Sequence, residues 1–583
     1  MTPQKELVRP VEIIRRRPQY LAKKPPKIET GVLKFIPLGG CGEVTRSMYI
    51  YEYGDDIVII DMGLQFPEED MPGIDYLIPN IEYLIPKKKN IRGIIITHGH
   101  YDHIGAIPHL VEPLGHPPVY TMPLTRGMIL KRQEDFKHLG KLSVEVIRED
   151  SKLKFGSFEV EFFRVNHNIP DSIGVILKSP AGTIVHTGDW KFDHTPVNEK
   201  PIDVERLKGI GDKGVMLLVS DSTGAKDAGR TISESEIQKN LEEIFKNAKG
   251  RIICATFSSL LTRIQQLIWL SEKYGRKVLV EGYSMKSNVA VSQELGYLKV
   301  KRGTFIGREE FETLPDEQVT IICTGAQGED HAVMMRIANS EHKFLSLKGS
   351  DSVVFSSSVV PGNEASVQRL KDLLYKKAGK IYHSESMDIH ASGHAKSEDI
   401  KDMIRLIRPR YFIPMHGNYF MLRIHAELAI EAGVKGEHVA IAEDGEIIEM
   451  NSNQFRKSKE KAPTSYVMVD GLGVGDIKEV VLRDRQMLSE DGIFVIIAVV
   501  DSQSGKIKGS PDIISRGFVY LKESRELLAS ARHLVKKVTE ETTSQMHPIN
   551  WAFLRDEIRE ELGKFLFRKT KRRPMVLPVI IEI

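Results

Sequence analysis

Thr97-His98-Gly99-His100-Tyr101-Asp102-His103-Ile104-Gly105 follows directly on the apolar run Ile94-Ile95-Ile96 and places three imidazoles and a carboxylate within six residues. This reads as a buried strand that runs into a loop of ligands. Histidine offers the neutral nitrogen that zinc-like ions prefer and Asp102 a hard oxygen, so one short loop can serve two adjacent ions.

Working outward, the chain from Val32 to about residue 210 alternates short apolar runs with glycine-rich turns. Strand candidates are Ile57-Val58-Ile59-Ile60, Ile94-Ile95-Ile96, Val160-Glu161-Phe162-Phe163-Arg164-Val165 and Thr183-Ile184-Val185. Each runs into a possible ligand, in order Asp61, His98, His167 and Asp189. Layered α/β folds collect chemistry at strand ends, so these four predict one edge of one sandwich.

Residues 211–385 read as a β/α alternation: a strand at 215–219, a helix at 233–248, a strand at 252–254, a helix near 260–274 and a strand at 278–280. That pattern predicts a parallel-sheet unit of its own. Tyr411-Phe412-Ile413-Pro414-Met415-His416 then repeats the strand ending in histidine. If His416 joins the first site, the β/α unit is an insertion and 386–450 is the return segment. Polar residues 451–465 read as a linker. Residues 466–583 read as a small α+β domain with a strand at 493–500, helices near 523–540 and 551–566, and a closing strand from Val576. The run Arg568-Lys569-Thr570-Lys571-Arg572-Arg573 before that strand is either a solvated face or an RNA or partner contact.

The 583 residues exceed one core. Net charge is only +3, yet residues 1–30 hold eight Lys/Arg against three Glu. That stretch reads as a flexible basic arm, either a passive tail or a nucleic-acid contact. It lacks the apolar segment of a secretory signal, and no run of 18 apolar residues occurs, so no membrane partner is expected. Cys41, Cys254 and Cys323 are far apart and odd in number, which argues against a disulfide framework and for the cytoplasm.

Two ions about 3.5–4 Å apart can clamp the attacking and leaving oxygens of a displacement at phosphorus. His98, His100 and His167 are expected to hold one, Asp102, His103 and His416 the other, with Asp189 as the bridge. Asp61 is expected to orient a ligand histidine.

Thr97 to Gly105, with Asp61, His167 and Asp189, resembles the metallo-beta-lactamase fold, and the insertion resembles that of the beta-CASP nucleases. More closely, the chain is similar to the bacterial ribonuclease J family. The likeness runs through Asp61-Met62-Gly63-Leu64-Gln65-Phe66-Pro67, Asn166-His167-Asn168-Ile169-Pro170-Asp171-Ser172, His186-Thr187-Gly188-Asp189, Ser220-Asp221-Ser222-Thr223, Pro361-Gly362-Asn363-Glu364, His390-Ala391-Ser392-Gly393-His394 and Pro414-Met415-His416-Gly417. It continues in Gly473-Val474-Gly475-Asp476-Ile477 and Pro511-Asp512-Ile513-Ile514-Ser515-Arg516-Gly517, and covers about residue 31 to the end. The chain departs from the family pattern at Thr45, Ser47, Leu260, Thr262 and Asn418.

The resemblance implies an α/β fold: a metallo-beta-lactamase αββα sandwich with an inserted beta-CASP domain and a small C-terminal α+β domain. It makes Asp221, His394 and His416 signature positions, and a histidine at the last accompanies action on RNA. His394, paired with Asp221, becomes the candidate to protonate the leaving 3′ oxygen; Asp102 and Asp189 are catalytic through the ions they hold. The loop His390, Ala391, Ser392, Gly393, His394 is implied to bind phosphate, and Phe257, Ser258 and Ser259 to form a second substrate-contacting turn. The implied function is a ribonuclease, exonucleolytic 5′-to-3′ on single-stranded RNA with a 5′ monophosphate and also endonucleolytic, in mRNA decay and rRNA maturation. Two divalent ions per subunit are implied, with zinc suited to the histidines and manganese acceptable to the carboxylates. Homodimers or homotetramers and partners in RNA degradation are implied as well. The rival readings are a DNA-processing nuclease of the same family, a small-ester metallohydrolase and a non-enzymatic RNA-binding scaffold.

Overall fold

The computed structural model describes residues 31–68, 70–360, 363–477, 479–519, 524–546 and 548–583. The expected basic arm and Pro361-Gly362 lie outside the described residues. The chain separates into two compact units, one containing residues 78–466 and the segment up to Gln65, the other containing 66–77 and 467–583.

The larger unit holds two sheets face to face. The first has eight strands, in the order Phe455–Lys461, Glu446–Met450, Leu33–Gly39, Met48–Tyr53, Asp56–Ile60, Ile91–Ile95, Val119–Thr121 and Val144–Val146. The second has six, in the order Tyr411–Met415, Leu217–Asp221, Gly182–His186, Ile173–Ser179, Phe158–Arg164 and Lys152–Phe155. Alternate residues explain the layering. Val160, Phe162, Val175, Leu177, Ile184, Leu217 and Val219 of the second sheet meet Phe35, Tyr51, Val58, Ile60 and Ile95 of the first in one core. Their neighbours Phe163, Ile176, Val185, Leu218 and Phe412 face the other way, under Leu207, Met403, Ile404 and Leu428. These last residues come from helices Val204–Asp212, Ser397–Ile407 and Tyr419–Glu431.

A third sheet is wholly parallel, in the order Lys277–Glu281, Val319–Cys323, Ile252–Thr256, Ser352–Ser356 and Lys380–Tyr382. Helices Glu234–Asn247, Leu261–Lys273 and Glu364–Tyr375 belong to the same excursion. This is the β/α unit expected from the sequence, with one correction. Leu217–Asp221, assigned there to the insertion, is a central strand of the sandwich, parallel to both Gly182–His186 and Tyr411–Met415. All five of its residues are buried, so its apolar run fits the interior of either sheet equally well.

A second correction concerns residues 451–465. Phe455–Lys461 is the edge strand of the first sheet, antiparallel to Glu446–Met450. Arg456 pairs with Glu449, and Lys457 and Lys461 pair with Glu446. Charge on an edge strand keeps it from pairing with other chains, and the same composition resembles a linker when read alone.

The smaller unit has a three-stranded sheet, Asp512–Arg516, Ile493–Val500 and Met575–Glu582, with the last two parallel. Helices Arg525–Ser544 and Trp551–Thr570 cover one of its faces through Ala531, Val535, Leu554, Ile558 and Leu562. Residues 66–77, read in sequence as part of the first domain, join this unit, with Ile74 and Leu77 packed on Met468. Among the described residues no helix is long and apolar enough to cross a membrane.

Candidate metal centre

Sheet register brings the candidate ligands together. Asp56–Ile60 and Ile91–Ile95 run parallel with Ile60 opposite Ile95, so the residues that follow, Asp61 and the Thr97–His103 loop, emerge side by side. In the facing sheet Gly182–His186, Leu217–Asp221 and Tyr411–Met415 are parallel with Asp221 opposite Met415, and deliver Asp189, Asp221 and His416 to the same edge. His167 follows Phe158–Arg164 two strands further on.

The ligand atoms of His98, His100, His167 and Asp189 lie within 4.8 Å of one another, and so do those of Asp102, His103, Asp189 and His416. Asp189 Oδ2 is the hub. It is 3.6 Å from His98 Nε2, 3.7 Å from His167 Nε2, and 3.3 Å from both His103 Nε2 and His416 Nε2. Asp102 Oδ2 lies 3.6 Å from His103 Nε2 and 3.8 Å from His416 Nε2, on the partly exposed side.

Four of these imidazoles are held from behind by Nδ1. Asp61 Oδ2 accepts from His103 Nδ1 at 2.8 Å, and Gly393 O from His167 Nδ1 at 2.7 Å. The Thr97 hydroxyl donates to Asp61 at 2.8 Å, which leaves its lone pairs facing His98 Nδ1 at 3.0 Å. Ser47 Oγ is 3.0 Å from His416 Nδ1. A ring whose Nδ1–H is taken turns its Nε2 lone pair inward, the orientation a metal ligand needs. His100 is the exception and presents Nδ1, 3.1 Å from Nε2 of both His98 and His167.

Asp61 and His416 both have left-handed backbones, with φ of 63° and 53°. Such conformations cost about 1–3 kcal/mol in a residue with a side chain and persist where surrounding structure holds them. Here Thr97 N donates to Asp61 Oδ1 at 2.8 Å, while His416 N donates to Gly40 O at 2.6 Å and Thr223 Oγ1 to His416 O at 2.9 Å. Gly63 lets the loop pass: a Cβ there would stand 1.6 Å from Asp102 O.

The donor set fits divalent ions. His103 Nε2 and Asp189 Oδ1 are buried without a hydrogen-bond partner. Burial holds His98 and His167 well below the usual histidine range and His100 at about 4, so all three are neutral and able to ligate at pH 7. Asp189, which burial alone would raise, is held well below the usual carboxylate range by His416, His103 and His98.

His394 stands beside this cluster. Its Nδ1 is 2.7 Å from Asp221 Oδ2, and its ring stacks on His416 with centroids 5.7 Å apart. Burial pulls its pKa down, but Asp221, Asp189 and Asp102 outweigh that and raise it to about 9. Gly393 must be glycine, because a Cβ would lie 2.6 Å from His167 Cε1 and 2.5 Å from Asn168 Nδ2. Ala391 is buried, and Ser392 Oγ accepts from His394 N at 3.1 Å. His390 lies apart from the cluster, close to Arg263 and Glu234, its Nδ1 buried without a partner. Phe257, Ser258 and Ser259 follow the central strand of the inserted sheet, where Asn288 Nδ2 donates to Ser258 O at 3.0 Å. The sequence reading missed Thr97 and the carbonyl of Gly393, and met Ser47 only as a departure; each matters through a partner that spacing does not reveal.

Four family models match the chain. They are described as Beta-lactamase superfamily domain at 72–205, Ribonuclease J, beta-CASP domain at 249–374, Zn-dependent metallo-hydrolase RNA specificity domain at 386–441, and Ribonuclease J C-terminal domain at 480–583. Ribonuclease J2 of Bacillus subtilis (strain 168) is 38% identical over 557 residues, covering 96% of this chain and 100% of the relative. Ribonuclease J 1 of Streptococcus pyogenes serotype M3 is 38% identical over 548 residues, covering 93% and 96%. A crystal structure of a protein of unknown function from Enterococcus faecalis V583 aligns with a TM-score of 0.50 at 16% identity, over 72% of this chain and 100% of that one, and so shares the fold.

Proposed function

Since the chain belongs to the ribonuclease J family and is a metal-dependent ribonuclease that binds RNA, we propose that it degrades 5′-monophosphorylated single-stranded RNA 5′-to-3′. We propose that it also cleaves internally, and that it serves mRNA decay and rRNA maturation in the cytoplasm.

The observation that carries the reading is the position of Asp189 Oδ2, within 3.3–3.7 Å of four inward-facing Nε2 atoms. A carboxylate so placed suits two ions, His98, His100 and His167 holding one and Asp102, His103 and His416 the other. Zinc is the ion favoured by five imidazoles, and manganese is compatible with the carboxylates. Bound there, the ions supply Lewis-acid charge to the scissile phosphate and a nucleophile near neutral pH.

The protein's own groups do the rest. Asp61, Thr97, Ser47 and Gly393 O keep the imidazoles aimed. His394, charged at neutral pH beside Asp221, donates a proton to the departing 3′ oxygen and takes up the negative charge that grows there. The small residues of His390–His394 let backbone N–H groups approach phosphate oxygens. Phe257, Ser258 and Ser259 form the second contact with the strand, gripping backbone and base faces rather than base edges.

Self-association is part of the proposal. In the smaller unit Ile514, Leu577, Val579 and Ile581 are 41–45% exposed, and they share one face of the three-stranded sheet by alternation. Exposed apolar surface of that kind favours a partner.

The test is product mapping with full-length, metal-loaded protein on 5′-monophosphorylated and 5′-triphosphorylated RNA. Mononucleotides released from the monophosphorylated end are expected, with a His98→Ala/Asp189→Asn double variant inert. Identical products from wild type and double variant would overturn the reading.

A further inference from the structure

Arg263, at the start of helix Leu261–Lys273, is fully buried, and so is its ion-pair partner Glu234. Its Nη2 donates to Glu234 Oε2 at 2.6 Å and its Nε to Gln266 Oε1 at 2.6 Å, while Nη1 donates to Ser356 Oγ and to the carbonyl of Ile389. The other oxygen of Glu234 accepts from Lys191 Nζ at 3.1 Å, and Lys191 is itself fully buried. One guanidinium thus gathers two helices and a strand end of the insertion, the residue before His390, and, through Glu234, the lactamase segment two residues beyond Asp189.

The chain around Lys191 and Ile389 gives this network a direction. Lys191 N donates to Asn166 O at 2.8 Å, beside His167, and Ala395 N donates to Trp190 O at 2.7 Å. The five-residue loop 390–394 is therefore pinned at its far end by His167 Nδ1 on Gly393 O and at its near end by Arg263 and Ser356 on Ile389 O, the latter at 2.7 Å. Removing the guanidinium leaves Ile389 O to Ser356 alone, and leaves the Glu234 carboxylate with Lys191 and a longer, 3.4 Å bond from Gln266 Nε2. Burial would raise the Glu234 carboxyl, and Arg263 with Lys191 holds it at about 2. A charged carboxylate in that place requires its partners.

We propose that Arg263 is a positioning residue for the reaction: gripped by Glu234, it fixes the loop that carries His394 against the metal centre, and so couples the seating of the insertion to the step at the leaving oxygen. Fully buried, it acts through the loop and not by contact with RNA. The inference rests on the catalytic role given above to His394.

The test uses the full-length, metal-loaded enzyme and 5′-monophosphorylated RNA. Arg263→Met and Glu234→Gln are each expected to lower kcat about 100-fold, the effect of a displacement of about 1 Å at a reacting group, with KM changed less than about threefold. Metal content is expected to match wild type, and Arg263→Lys, which restores the charge but not the fork, to recover part of kcat. In a double-mutant cycle Arg263→Met adds no further loss to His394→Ala, because both remove one function. A fall in KM-dependent binding alone, lost metal, or full additivity with His394→Ala would overturn the proposal. The role of His394 is read separately, from His394→Ala on RNA and on bis(p-nitrophenyl) phosphate, whose phenolate leaves without a proton. Equal loss on both substrates removes the leaving-group role, while the cycle still reports whether Arg263 acts through His394.

Discussion

Ser47 Oγ lies 3.0 Å from Nδ1 of His416, a residue 369 positions away in sequence. The backbone of Ser47 is tied to the ligand loop as well: its N–H donates to Asp102 O at 2.9 Å and its carbonyl accepts from Gly63 N at 2.9 Å. One serine therefore touches both sides of the centre. Ser47→Ala is expected to weaken binding of the ion proposed for Asp102, His103 and His416 about 10–100-fold, the usual effect of removing the group behind a ligand histidine. Metal titration of the chelator-stripped variant checks it, and an unchanged affinity would remove Ser47 from that role.

Gly393→Ala tests the contact between the loop and the ligand. Asn168 can swing away from the new methyl group, but the His167 ring cannot do so and keep its bond to Gly393 O. RNA cleavage is expected to fall by about 100-fold or more while the circular dichroism spectrum stays that of wild type. Wild-type turnover in this variant would show that the loop relaxes without moving His167.

Chelation should lower stability as well as activity. Five imidazoles and two carboxylates crowd a buried site, and ions bound there favour the folded state by about 2.7 kcal/mol when free ion is at 100 times its Kd. Calorimetry is expected to show a lower Tm after chelation, restored by zinc or manganese. Superimposable melting curves would mean that no ion contributes to folding.

Two buried histidines outside the candidate ligand set predict an acid limit. His186, 2.9 Å from Tyr51 Oη, and His425, 2.9 Å from Ser222 Oγ, are fully buried, and burial holds both at about 3. Their folded values lie below the unfolded value, so the unfolded chain binds more protons and stability falls as pH drops from about 6.5 toward 3, by about 1.4 kcal/mol per pH unit for each. Denaturant titrations at pH 7, 6 and 5 should show a shallower decline in His425→Gln than in wild type. Parallel declines would contradict the prediction.

Much of the site is legible in the sequence because strands of period two end where candidate ligands begin: Asp61, His98, His167, Asp189 and His416 all follow apolar runs. The loop alone would have fitted a small-ester hydrolase; the insertion and the residues beyond it separate the two. What was not legible depends on distance in sequence. Nothing local in Ser47 or Gly393 announces a partner hundreds of residues away, and Leu217–Asp221 carries no mark of which sheet receives it. Phe455–Lys461 misled for the opposite reason, since charge that protects an edge strand resembles charge that solvates a linker.

The adjacency of Asp221 and Met415 in one sheet has a topological consequence. The chain departs from one strand and, some 190 residues later, re-enters on its immediate neighbour, so in the strand order the inserted module and helix Ser397–Ile407 together make one lengthened crossover. Such an addition needs no change in strand order, and closing a longer connection costs only about 0.6 kcal/mol per doubling of its length. A module added at that junction therefore leaves the order of the strands that carry Asp189 and His416 as it was.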